Sequence, residues 1–293
     1  MKVTVLRLWA LWVVPTMLIL VTYSRLPPER LYRVSDSGIG GGVGRALVYV
    51  AFPGSLAAIA LVGVTSGSFV RRWQRVAGLA AILLCATVMT GMVDPDDLDF
   101  KLINLLPVAG VVLAFVVSAS THWPGVSCGR ATAAVAVTLG ILSLPWIAAY
   151  AGFSLPGRLF LTKQLVAEAG EPGLVPAVHL GDHHGLSSAL LVVTVIAVWR
   201  APRGMPRTSA RRALQGYLAL LVSYGLVNMA QDFWGEQVAT RGWTNWMIPD
   251  ALEPGVSVVW AVIVAGAIVA YLLPRPARIS STVLAEPGLV DRS

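Results

Sequence analysis

Charge is what this sequence has least of. Only 13% of its 293 residues are Asp, Glu, Lys or Arg, and 56% are hydrophobic, where a soluble domain carries about 25% charged residues. With a mean hydropathy of +0.72, the chain lacks the polar surface that a water-soluble globule needs. Cysteine is nearly absent as well. Cys85 falls inside an apolar run and Cys128 in a connection, which excludes a disulfide framework and a cysteine-based zinc site. No Gly-x-Ser-x-Gly elbow, His-Glu-x-x-His motif or Walker loop is present. The 4 histidines are too few for a membrane di-iron desaturase. No apolar run carries a charge near its middle, which counts against proton relays and ion-coupled transport. A net charge of +7 suggests nucleic acid in a soluble protein. Here the arginines flank apolar runs and orient them, so no nucleic-acid partner is expected.

What the chain does have is a succession of apolar runs: Leu8–Tyr23, Ala46–Val64, Val76–Val93, Leu102–Ser120, Ala131–Ala151, Pro176–Trp199, Ala213–Phe233 and Val256–Leu273. Most approach the roughly 20 residues that a helix needs to cross about 30 Å of hydrocarbon. Backbone groups in lipid must be satisfied within their own segment, so helices are expected throughout. The fold class read from the sequence is therefore all-α: a polytopic integral membrane bundle of about eight transmembrane helices. Residues 1–274 form one transmembrane domain and 275–293 a short cytoplasmic tail. The first run follows Lys2 and Arg7 without a small-x-small cleavage site and reads as an uncleaved span. The sixth run is too short from Leu186 onward, and starting it at Pro176, as a first-turn proline, gives it the needed length. Pro15, Pro107 and Pro145 are expected to kink their spans.

Basic residues fix the orientation. Arg200, Arg203, Arg207, Arg211 and Arg212 crowd one connection, and by the positive-inside rule that side is cytoplasmic, as are both termini. Arg25, Arg30 and Arg33 dissent from the opposite side. On this topology all of the 15 acidic residues except Glu286 and Asp291 lie outside, with His179, His183 and His184. In layout the chain is similar to polytopic cell-membrane proteins of high-GC bacteria, a likeness that supplies no activity.

Three outer stretches carry candidate chemistry. His179, Asp182 and His183 share one face if the sixth helix starts at Pro176, a spacing that suits a divalent metal. Asp94-Pro95-Asp96-Asp97-Leu98-Asp99 is an aspartate-rich turn in which Asp97 and Asp99 can add ligands. Tyr224, Asn228, Asp232 and Glu236 recur every four residues at the end of the seventh run, so they face the bundle and not lipid. Asn228-x-x-x-Asp232-x-x-x-Glu236 has the spacing of the second metal-binding motif of terpene cyclases. With Asp96-Asp97-x-Asp99 it resembles the two-motif magnesium site of prenyl-diphosphate enzymes. The likeness covers fewer than about twenty residues and lacks the basic diphosphate-sensing side chains; it implies magnesium held by these carboxylates. Trp234, Trp243 and Trp246 suit the headgroup level, where they also frame a groove. The glycine-rich run Gly38–Gly44 has no preceding strand and does not make a nucleotide loop. Arg158–Ala169 reads as a short amphipathic surface helix.

The expectation is a membrane-embedded, metal-dependent enzyme acting on a lipid or lipid-linked substrate. His179, Asp182, His183, Asp97 and Asp99 bind zinc, manganese, iron or magnesium. Asp232 and Glu236 are catalytic, and Tyr224, Asn228 and Trp234 line the substrate pocket. A small-solute permease, with a wet path along Asn104, Tyr217, Tyr224 and Asn228, is the alternative. A non-catalytic cell-envelope partner is a third. Oligomeric state leaves no mark in the sequence.

Overall fold

The computed structural model describes residues 2–31, 34, 38–95, 97–167, 173–206, 208–252 and 254–273. Asp96 and the tail 275–293 lie outside them. The chain is all-α and 69% helical. Its helices are α1 (Val5–Arg25), α2 (Gly38–Tyr49), α3 (Ser55–Thr65), α4 (Arg72–Cys85), α5 (Leu105–Ala119), α6 (Arg130–Leu142), α7 (Leu144–Tyr150), α8 (His184–Val198), α9 (Ser209–Phe233) and α10 (Val258–Leu272).

Among the described residues, five stretches are long and apolar enough to cross a membrane: Val5–Arg25, Gly38–Ser68, Leu102–Ala119, His184–Gly204 and Ser209–Arg241. Helices α6 and α7 meet at 60° and make a sixth if the pair is one bent span. The expected count of about eight is thus not reached by length alone, because α4 has 14 residues and α10 has 15. At 1.5 Å per residue these are roughly 21 and 23 Å long, short of about 30 Å.

The prolines act unevenly. Pro145 sits at the α6–α7 break, where the expected bend appears. Pro15 lies inside an unbroken α1, and Pro107 is in the first turn of α5, where its missing N–H costs little. Pro53, which drew no attention in the sequence, lies in a π-helical turn, Val50–Gly54, joining α2 to α3. A proline cannot close the ordinary i−4 hydrogen bond, and a wider turn accommodates it.

Helices close on one another through small residues, as expected where lipid is no less apolar than the side chains. A Cβ at Gly225 of α9 would lie 2.9 Å from the Ser188 carbonyl of α8. One at Gly110 of α5 would lie 2.8 Å from the Cys85 backbone nitrogen of α4. The core holds Tyr23, Tyr49, Trp146 and Tyr150, all essentially sealed. Large apolar side chains such as Val14, Leu79, Val112, Val137 and Ile268 are exposed. This is the pattern of helices that face lipid.

The connections gather at two ends. At one, β1 (Lys2–Val3) pairs antiparallel with β2 (Val126–Ser127), and Met205 abuts Gly67. At the other, Leu31 bridges Leu180, Arg45 donates to the Leu98 carbonyl, and Arg241 donates to the Leu159 carbonyl. Every described aspartate and glutamate belongs to this second, acidic end; Arg71, Arg72, Arg75, Arg200, Arg203, Arg211 and Arg212 belong to the first.

Two local expectations fail. The span at Pro176 begins only at His184, and Pro176 instead ends β4 (Leu174–Pro176), paired antiparallel with β3 (Leu165–Ala167). Gly181, at φ 110°, holds a conformation no helix can include. Within the stretch expected as a surface helix, Arg158–Ala169, the described residues form no helix and Leu165–Ala167 is the strand β3.

Candidate metal centre

The site forms where α8 begins and α9 ends, the two helices that pack most extensively on one another. The approach to α8 is pinned on both sides. The Gly181 N–H donates to the Ala149 carbonyl at 3.0 Å, and the Asp182 N–H donates to the Tyr23 hydroxyl at 3.0 Å. His183 is the cap residue of α8 and offers no side-chain cap itself. Asp232 of α9 does this from outside, accepting the Gly185 N–H at 2.6 Å. A carboxylate there satisfies an otherwise orphaned donor and sits at the positive end of the helix dipole.

Glu236 follows four residues later, in a π-helical turn, Trp234–Val238. Its Oε2 accepts from the Trp146 indole N–H at 2.6 Å, and its Oε1 lies 2.9 Å from His183 Nδ1. The indole reaches Glu236 across Gly185; any Cβ at that position would run into the Trp146 ring. Asp232 Oδ2 lies 4.0 Å from the same His183 Nδ1. The other ring nitrogen, Nε2, lies 2.9 Å from the His179 carbonyl. A carbonyl only accepts, so Nε2 carries a proton and Nδ1 faces the carboxylates.

Burial alone disfavours a charged His183, but the Glu236 and then the Asp232 carboxylate outweigh it and push its pKa up to about 9. His179 stacks on His183 with ring centroids 4.0 Å apart and planes 16° apart. Burial and the neighbouring His183 charge hold His179 well below the ordinary histidine range, so a neutral ring lies on a charged one.

Among the described residues, His183, Asp232 and Glu236 form a group able to hold a metal ion, each offering one ligand atom within 4.8 Å of the others. Ligands around one ion at about 2.1 Å stand roughly 3.4 Å apart, so modest side-chain movement closes the set. The donors fit a divalent ion, since one imidazole with two carboxylates suits zinc, iron or manganese. The imidazole is also oriented through its second nitrogen, as metal-binding histidines are. Binding there displaces the Nδ1 proton.

The remaining predicted residues go elsewhere. Asp182 is not in the convergent group; it forms a buried ion pair with Arg45 and accepts the Tyr150 hydroxyl. Burial works against its charge, but Arg45 holds its carboxyl below the usual range. The shared helical face expected for His179, Asp182 and His183 does not exist, because these residues precede the helix. Asp97 pairs with Lys101 and accepts the Asp99 N–H at 3.0 Å, and neither aspartate belongs to the convergent group. Among the described residues, Asp232 and Glu236 meet a histidine and not the aspartates of the turn. Tyr224 donates to the Leu252 carbonyl, Asn228 donates to the Tyr224 carbonyl, and Trp234 donates to the Trp246 carbonyl. Tyr224 and Asn228 are buried in the bundle, and Trp234 is partly exposed.

Sequence reasoning missed Trp146, Arg45 and Tyr150. Arg45 alone left a signal, as a single basic residue abutting an apolar run. No protein-family model, curated protein or solved structure matches the chain.

Proposed function

We propose that this protein is a membrane-embedded enzyme in which His183, Asp232 and Glu236 hold a divalent metal ion. The site lies at the acidic end, which the positive-inside rule assigns to the outside of the cytoplasm, and acts on a lipid or lipid-linked substrate. One observation carries the reading: an imidazole nitrogen and two carboxylates converge from two helices, with the imidazole's other nitrogen already engaged. A metal held there would supply a Lewis acid and would make water more acidic. Trp146 fixes one oxygen of Glu236 and leaves the other on His183. Asp232 would complete the ligand set, with its Oδ2 held by the Gly185 N–H. Exposed Leu159, Trp243 and Trp246 surround this end, as side chains at headgroup depth do.

The permease reading fares worse. Asn104, Tyr224 and Asn228 are buried, and the Tyr217 hydroxyl is spent on the Leu56 carbonyl. The cavity beside Tyr224 has a volume of about 20 Å³, room for about one water.

The test is to incubate purified protein in lipid–detergent micelles with a panel of phospholipids and lipid phosphates, and to follow lipid masses. The account expects conversion that stops with chelator, returns with added metal and is lost in Glu236→Gln. A tightly bound metal with no lipid changed would overturn the enzymatic reading.

A further inference from the structure

A second hollow, independent of the carboxylate site, opens at the arginine-rich end and has a volume of about 320 Å³. That is within the usual range for small-molecule sites. It exists because α6 rests on α8 and α10 rests on α9, leaving a furrow between the two flanking helices. Ala131 and Thr132 of α6, Ile196 of α8, Val222 of α9 and Ala270 of α10 line it, with Arg200 at its mouth. Arg130, beside Ala131, is exposed next to the same opening, as is Arg200. The α6 wall is apolar and exposed at Val135. Every described carboxylate lies at the opposite end of the bundle. An occupant must therefore combine an apolar chain with a negative charge at the level of the helix ends.

We propose that this furrow binds an anionic phospholipid, with one acyl chain between α6 and α10 and the phosphate at Arg200 and Arg130. The charge complementarity selects the occupant, because basic residues at a membrane surface attract anionic headgroups and only weakly favour zwitterionic ones.

Native mass spectrometry of the detergent-solubilised full chain tests this with phosphatidylglycerol, phosphatidylcholine and glycerol 3-phosphate. Phosphatidylglycerol is expected to be retained in preference to phosphatidylcholine. Arg200→Gln lowers its retention about fivefold, the equivalent of ~1 kcal/mol for one arginine near the surface. Ala131→Trp, at an exposed position where a large side chain fills the furrow without entering the core, abolishes the preference. Equal retention of both lipids overturns the proposal, as does retention indifferent to both substitutions. So does glycerol 3-phosphate displacing the lipid at equal concentration, since the furrow then contributes nothing.

Discussion

At the scale of single residues, the site divides two neighbours in the chain between two different tasks. His183 faces Glu236 and Asp232, while Asp182 faces Arg45 with Tyr150 and Tyr23 around it. Local spacing could not separate them, because Arg45 lies 137 residues from Asp182 in the chain and its partner is chosen by packing. Asp232 and Glu236 were legible, because polar residues four apart on an apolar helix must face inward. Trp146 was not, since an indole in an apolar run reads equally well as lipid-facing. The division makes a prediction. Asp182→Asn leaves the Arg45 guanidinium buried without its counter-charge and is expected to destabilise the fold by about 3–5 kcal/mol, seen as a lower unfolding midpoint in detergent. Metal content per folded molecule stays that of the wild type. Loss of metal at unchanged stability would place Asp182 among the ligands.

At the scale of elements, the length of a helix mattered less than where it starts and how it ends. Helices α8 and α9 pack side by side, and their contact brings His183 to Asp232. The start of α8 was misjudged from the sequence. A proline suits the first turn of a helix and the end of a strand equally, and the decisive feature was the left-handed conformation of Gly181. The π turn at Trp234–Val238 was invisible to periodicity because it inserts one residue without changing composition. It is expected to set the direction of Glu236. Deleting Gly235 restores α-helical spacing and rotates Glu236 by about 100° relative to Asp232. The deletion should abolish metal binding with helical content preserved by circular dichroism. Full metal binding in the deletion would remove the π turn from the account.

At the scale of the whole molecule, apolar runs and flanking arginines made the membrane bundle readable, and α4 and α10 show the limit of that reading. A run of apolar residues marks a helix that faces lipid, but its length alone does not make it a full crossing. The two ends differ in charge, and the proposed reading puts the candidate metal centre outside the cytoplasm. In a Cys85→Ala/Cys128→Ala background, Asn245→Cys is expected to react with a membrane-impermeant thiol reagent in intact cells, and His122→Cys only after permeabilisation. The reverse pattern would invert the topology. The central claim, that α8 and α9 together build a metal centre, is tested most directly by elemental analysis of the purified wild type beside His183→Ala. The account predicts near-stoichiometric zinc, manganese or iron in the wild type and none in the variant. Equal metal in both, or none in the wild type even after dialysis against each ion, would contradict it and leave His183 and Glu236 as an internal ion pair.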